Sequence, residues 1–185
     1  MDANGKVTYT QNGTGKISND SKQLVNAIDD HSVVVNVNAE NTKTTQSGNL
    51  YIGGAFSGNT VTQGTNGNTV VAEQEINPGV LSTMSTAHGK PGADVLHEVS
   101  EAYQGALISQ KSGISSPASN NPNSVYPKAH NRATSQSGQI FETLYDASKN
   151  VLPMNSNGSY PTGIKSVEWY VNDKKGNNVI IQILK

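Results

Sequence analysis

The sequence predicts an α+β fold, and three features lead to that prediction. Apolar residues recur at helical spacing in a short segment near the N-terminus and in longer segments past the middle of the chain. Segments that are β-branched or that alternate in polarity stand between them, separated by turns rich in glycine and asparagine. Two more such segments flank the turn sequence DKKGN and predict a C-terminal hairpin over residues 164–185.

The bulk composition limits the classes of function. The length of 185 residues suits one domain, so we expect residues 1–185 to fold as a single unit with a modest core, since 34% of them are hydrophobic. A net charge of −1 gives no electrostatic attraction for nucleic acid or for an acidic membrane, and we expect neither as a partner. The chain has no cysteine, so a metal site would have to use histidine and carboxylate ligands.

The ends and the hydropathy of the chain suggest a module. No stretch approaches 18 consecutive apolar residues, which argues against a membrane span. The first residues, MDANGKVTYT, lack the basic and apolar regions of a signal peptide. They resemble the middle of a protein, so we expect a domain cut from a larger, secreted or delivered bacterial protein. The compartment itself cannot be read from the sequence.

The first half of the chain predicts one helix and a small, mostly antiparallel sheet. Residues 19–30 have apolar positions on one helical face. The asparagine-glycine turn before residue 68 favours a hairpin between the last two strands. Strands are predicted from β-branched content or alternation at 6–10, 32–39, 49–64 (with a glycine break at Gly53 and Gly54) and 68–77.

The second half predicts helices before the C-terminal hairpin. Residues 77–87 suit a short helix with Asn77 as its cap. A helix of about 20 residues is predicted over 91–111, because Pro91 suits a helix start and Gly113 a helix end. A loop follows at 112–125, and the apolar spacing over 129–150 predicts a second long helix.

The central helix carries the sequence HEVSE at residues 97–101, and this raises the question of a metal site. His97 and Glu101 are four residues apart, so they point the same way and could share one ion. Glu98 lies about a quarter turn away, where a general base could reach a water beside that ion. A solvated polar face carrying a His97–Glu101 pair would explain the same pattern.

The order of elements together with this partial motif resembles the zincin-type metallopeptidases of bacterial effectors and polymorphic toxins. In that family a helix with HELxHA follows a β region, and a later TEN-x-x-R segment opens another helix. The similarity covers about residues 18–145 and includes the segments MSTAHGKPGADVLHEVSEAY and YPKAHNRA. It implies a zincin-like fold, a bound zinc ion and peptide-bond hydrolysis.

The resemblance assigns roles to individual residues. His97 matches the first zinc ligand, Glu98 the catalytic base, and Glu101 stands where the family has its second histidine. His130 stands where the family has its glutamate ligand, so the set of two histidines and one carboxylate is kept with two positions exchanged. We expect His97, Glu101 and His130 to face each other within about 3–5 Å, given zinc bond lengths near 2.0–2.2 Å.

Other residues near these motifs have weaker cases. Tyr126 is our candidate for a hydrogen-bond donor to an oxyanion, because Tyr103 falls on the apolar side of the helix. Arg132 suggests a carboxylate clamp or a surface ion pair. His88 could reach the site, but we interpret it as a loop histidine.

Three classes of function remain open. The first is a zinc-dependent hydrolase, most plausibly a peptidase acting on a peptide or protein, with Glu98 as general base. The second is a zincin-fold domain that has lost catalysis and serves as a binding or structural module. The third is a toxin-like nuclease, since AHNRA resembles His-Asn nuclease motifs, although the lack of basic charge argues against it.

Overall fold

The computed structural model describes residues 2, 3 and 5–185 as an α+β protein with two small sheets. Helices and strands alternate irregularly along the chain, so the order does not follow a repeating βαβ pattern. The elements are α1 (Asn19–Asp29), β1 (Val33–Ala39), β2 (Gly54–Thr62), β3 (Thr69–Ile76), α2 (Pro78–Ala87), α3 (Ala93–Ser112), α4 (Tyr126–His130), β4 (Phe141–Tyr145), β5 (Val151–Leu152), β6 (Ser166–Asn172) and β7 (Asn178–Leu184).

The first sheet has the strand order β1-β3-β2 and supports the central helix. Strand β3 pairs in parallel with β1 and antiparallel with β2, and the β2–β3 hairpin turns at Gly67, as the sequence predicts. The glycine break lies at Gly53 and Gly54, but the register shift falls later, between Phe56 and Gly58. The inner face packs on α3 through a cluster of Val33, Phe56, Val70, Ala72, Ala102, Tyr103 and Ala106.

The central helix α3 spans Ala93–Ser112, close to the predicted 91–111. It ends where the sequence predicts, because Gly113 adopts a left-handed conformation with φ of 71°. The polar side of α3 is buried, which argues against the solvated face considered as the alternative to a metal site. Asp94, His97 and Glu101 are each no more than 3% exposed, because α4 and the segment after it cover that side.

The second sheet has the strand order β5-β4-β6-β7 and is wholly antiparallel. Its last two strands are the predicted C-terminal hairpin. Helix α2, capped by Asn77 as predicted, joins the two sheets through a cluster of Ile76, Val80, Leu81, Met84 and Val171. The second sheet therefore packs on α2, and it contributes none of the histidines or carboxylates considered above.

The predicted long helix over 129–150 is wrong. The structure has only the five-residue α4 there, followed by irregular chain to residue 140 and then strand β4. Ile140, Phe141, Leu144 and Tyr145 match helical spacing, but Ile140 precedes β4 and the other three lie on both faces of that strand. Leu144 is buried against Val167 of β6, and Phe141 stacks on Tyr170 on the opposite face. When both faces of a strand are apolar, the period of two is hidden.

Two smaller expectations also change. Residues 6–10, predicted as a strand, form no regular element, and their side chains are exposed. The single mostly antiparallel sheet is instead two sheets, one of which contains a parallel pair. Across residues 2, 3 and 5–185, no helix combines the length and the apolarity that a membrane crossing requires.

Candidate metal centre

Three side chains from two helices meet at one point. His97 and Glu101 extend from α3, and His130 is the last residue of α4, whose Pro127 lies in the first turn. The Oε2 atom of Glu101 lies 2.7 Å from Nδ1 of His130 and 3.5 Å from Nε2 of His97, and the two histidine nitrogens are 3.2 Å apart. One ligand atom from each residue can be chosen so that all lie within 4.8 Å of one another. These three residues could therefore hold a metal ion.

The orientation of His97 suits a ligand. Its Nδ1 faces the carbonyl oxygen of Thr134. A carbonyl only accepts hydrogen bonds, so Nδ1 must carry the proton and donate. In the neutral imidazole this leaves the lone pair on Nε2, the atom that faces Glu101 and His130.

The carboxylate of Glu101 has one oxygen that faces the two histidines and one that has no partner in the described part of the chain. Its side chain is 2% exposed, and Oε2 accepts a hydrogen bond from His130. Its Oε1 is buried and has no hydrogen-bond partner among the described residues. Leaving a buried carboxylate oxygen unpaired costs free energy, which a bound cation would recover. The structure thus has a feature that a metal ion would explain.

The donor set suits a transition-metal ion, and zinc is one of the ions that such ligands bind. Two imidazole nitrogens and one carboxylate oxygen are among the ligand sets of catalytic zinc sites, which keep a fourth position open. Ligands of a tetrahedral zinc ion lie roughly 3.3–3.6 Å apart at the usual bond lengths. The three separations of 2.7, 3.2 and 3.5 Å are close to this spacing. Only small side-chain shifts would be needed to admit an ion.

Glu98 is a second buried carboxylate beside this cluster. It is 6% exposed, and its Oε2 accepts a hydrogen bond of 2.7 Å from Nε2 of Gln74 on β3. The carboxylate also lies directly against Gly54 at the start of β2, since a Cβ atom placed on Gly54 would be 1.9 Å from Oε2. The first sheet thus holds Glu98 by the hydrogen bond from Gln74, and Gly54 leaves the space that the carboxylate occupies.

The charges in this region shift the pKa values of two groups. Burial raises the pKa of Glu98 to about 8, and the negative charges of Glu101 and Asp94 add to that effect. Burial by itself lowers the pKa of His97, but hydrogen bonds to Glu101 and to the Thr134 carbonyl, with the charge of Glu98, raise it overall. Excess negative charge therefore favours a bound proton or cation at this point.

Tyr126 lies at the edge of the cluster. Its ring centroid is 5.5 Å from that of His130. Burial raises the pKa of Tyr126 to about 12, with further contributions from the charges of Glu101 and Glu98. The hydroxyl stays protonated at neutral pH and is therefore able to donate a hydrogen bond.

The remaining sequence candidates lie elsewhere. His88 caps the end of α2 and has Nδ1 2.8 Å from Oγ of Ser137, as befits a loop histidine. Arg132 is exposed, and the ion pairs found among residues 2, 3 and 5–185 are those of Glu101, so it makes no carboxylate clamp there. Tyr103 donates to Asp30 at 3.0 Å on the core side of α3.

Sequence reasoning missed several residues that surround the cluster. Gln74 stands on the inner face of β3 between Ala72 and Ile76, and a polar residue at a buried position of an alternating strand is a usable signal. Asp94 and Ser100 lie three residues on either side of His97, which places the three on one helical face. Two contacts carried no sequence signal. They are the contact of Gly54 with Glu98 and the contact of the Thr134 carbonyl with His97.

Comparisons with protein-family models, with curated proteins and with solved structures found no match to this chain. The support for a function therefore comes from the geometry of the cluster and from the chemistry of its residues.

Proposed function

We propose that this protein is a zinc-dependent hydrolase that cleaves peptide bonds, with His97, Glu101 and His130 as the zinc ligands. The observation that supports it best is the meeting of two histidines and a buried carboxylate beside a second buried carboxylate, Glu98. A purely structural ion site would not need that second carboxylate, which is costly to bury. The motif resemblance points to the same chemistry.

Each residue of the site has its own role in the proposed reaction. When bound, a zinc ion supplies Lewis acidity and lowers the pKa of water, which makes a nucleophile available at neutral pH. The positive charge of a bound ion would offset the burial that raises the pKa of Glu98, so Glu98 would be ionised and would accept the proton of the attacking water and later deliver it to the leaving amine. Tyr126 donates a hydrogen bond to the oxyanion that develops on the scissile carbonyl. Gln74 holds the Glu98 carboxylate in place.

A groove lies next to the residue that contacts Glu98. It has a volume of about 220 Å³ and is lined by Gly54 and by the residues that follow it in β2. Its walls are formed by residues 45–52 and 118–120. Residues 115–119 already cover the outer edge of strand β2, since Asn59 and Ser116 exchange backbone hydrogen bonds and the N–H of Ser119 donates to the carbonyl of Phe56. The choice of a peptide or an unfolded protein as the substrate therefore depends on the motif resemblance.

A cleavage assay tests the proposal. The protein is stripped with a chelator, reloaded with zinc and incubated with casein, which has little fixed structure. We expect peptide products with zinc and none after stripping. A protein that carries one zinc per chain but leaves casein and unstructured peptides intact would support the inactive-module alternative. Cleavage of DNA or RNA under the same conditions would support the nuclease alternative.

A substitution at Gly54 should separate activity from zinc binding. Gly54→Ala places a methyl group where the Glu98 carboxylate now lies, so that carboxylate must move and give up its hydrogen bond to Gln74. Because the carboxylate is the end of a flexible side chain and Gly54 has an ordinary backbone φ, we expect a folded protein with zinc still bound, a large loss of turnover and a moderately lower melting temperature. Gly15→Ala is the control, because nothing lies within 4 Å of its Cβ position. Full activity in Gly54→Ala would contradict the role given to Glu98.

A further inference from the structure

The segment of residues 134–137 lies across the helix that carries His97, and we call it the strap. We propose that Asp94 and Ser100 are positioning residues of the metal site, which act by holding the strap so that the Thr134 carbonyl orients His97. This inference rests on the proposed zinc site. Neither residue belongs to the ligand cluster itself.

The contacts between the strap and α3 follow one line along the helix. Asp94, His97 and Ser100 are spaced three residues apart, so they share a face. At one end, the backbone N–H of Ser137 donates to Oδ1 of Asp94 at 2.8 Å. At the other end, the backbone N–H of Thr134 donates to Oγ of Ser100 at 2.9 Å. The contact of His97 with the Thr134 carbonyl lies between these two anchors.

Asp94 is held in this position by burial and by several hydrogen bonds. It is 1% exposed, and its Oδ2 accepts hydrogen bonds from Oγ of Ser137 at 2.6 Å and from Oγ of Ser85 on α2 at 2.7 Å. A carboxylate buried this deeply needs such donors. Its hydrogen-bond partners come from the strap and from α2, so apart from its charge, which also acts on Glu98, Asp94 reaches the ligand cluster through the strap.

Ser100 anchors the other end with a single hydroxyl. Its Oγ donates to the backbone carbonyl of His97 at 2.9 Å while it accepts from the N–H of Thr134. Its oxygen is also 3.2 Å from the hydroxyl of Thr134. Alanine at this position would remove the partner of a buried backbone N–H and let the Thr134 carbonyl shift.

The consequence for metal binding comes from the imidazole of His97. While the strap holds the Thr134 carbonyl in place, Nδ1 must donate and Nε2 faces Glu101 and His130. Without that carbonyl the ring can rotate, or carry its proton on Nε2, and both states are unable to bind an ion at the cluster. Groups that orient a histidine ligand in this way typically account for about 10–100-fold in metal affinity.

The zinc affinity of variants at Ser100 and Asp94 tests the inference. Ser100→Ala and Asp94→Asn should weaken zinc binding by about 10–100-fold, measured by competition with a chromophoric chelator. Ser109→Ala is the matched control, since Ser109 is a buried serine of the same helix whose hydroxyl has no partner among the described residues. Its zinc affinity should stay within about threefold of the unchanged protein.

A second readout distinguishes positioning from a general loss of structure. In the zinc-loaded protein the Nδ1–H of His97 should give a slowly exchanging proton signal in ¹⁵N-edited NMR spectra, because it is buried and bonded. The signal should broaden or vanish in Ser100→Ala and persist in Ser109→Ala. Zinc affinity and this signal both unchanged in folded Ser100→Ala protein would overturn the inference while leaving the proposed function intact. Failure of the unchanged protein to bind zinc would overturn both.

Discussion

Replacing Glu98 by glutamine is expected to lower the rate of peptide hydrolysis by about 10²–10⁴-fold, the usual contribution of a general base. Glutamine has almost the same shape but accepts no proton at neutral pH. It can still contact Gln74 and Gly54, so the neighbouring packing is preserved. The measurement is turnover of a fluorogenic peptide by zinc-loaded protein, with zinc content determined on the same sample.

Zinc should remain bound in Glu98→Gln, because Glu98 is not among the three clustered ligands. Loss of a negative charge beside the site should weaken affinity only slightly. The control is Glu40→Gln, which alters an exposed glutamate and should leave turnover unchanged. If Glu98→Gln keeps most of its activity, another group must take the proton, and the mechanism proposed above is wrong even if the zinc site is right.

Replacing His130 by alanine is expected to weaken zinc binding at least about a hundredfold, since loss of a group that merely orients a ligand already costs about 10–100-fold. His130 is the best ligand to remove, because its side chain is 36% exposed and its loss should disturb the core least. His31→Ala is the matched control, since His31 is exposed and lies in a turn.

The same substitution should remove the stabilisation that zinc provides. An ion at one hundred times its dissociation constant stabilises the folded state by about 2.7 kcal/mol. For a chain of this size that corresponds to a rise in melting temperature of roughly 5–10 °C. We expect this rise in the unchanged protein and in His31→Ala, and none in His130→Ala. An equal rise in all three would place the zinc elsewhere on the molecule.

The sequence alone was sufficient to predict the elements whose two faces differ clearly in polarity. Helix α3 was predictable because a proline-glycine turn precedes it, Gly113 ends it and half of its circumference is apolar. The pair His97 and Glu101 followed from helical spacing alone. The hairpins were predictable because glycine and asparagine mark their turns.

Other features depend on contacts between distant parts of the chain. Strand β4 has apolar residues on both faces, so Phe141 and Leu144 gave a false helical pattern until their partners on β6 were known. The meeting of His130 with His97 was suggested only by the motif resemblance, since 33 residues separate them. The supporting contacts of Gln74, Gly54 and Thr134 depend on tertiary packing and are not encoded in local spacing.

We propose above all that His97, Glu101 and His130 together bind one zinc ion. The most direct measurement is zinc content by mass spectrometry after dialysis against micromolar zinc, in the unchanged protein, in His130→Ala and in His31→Ala. The account predicts one zinc per chain in the unchanged protein and in His31→Ala, and almost none in His130→Ala. No bound zinc in the unchanged protein, or equal zinc in all three, would contradict it.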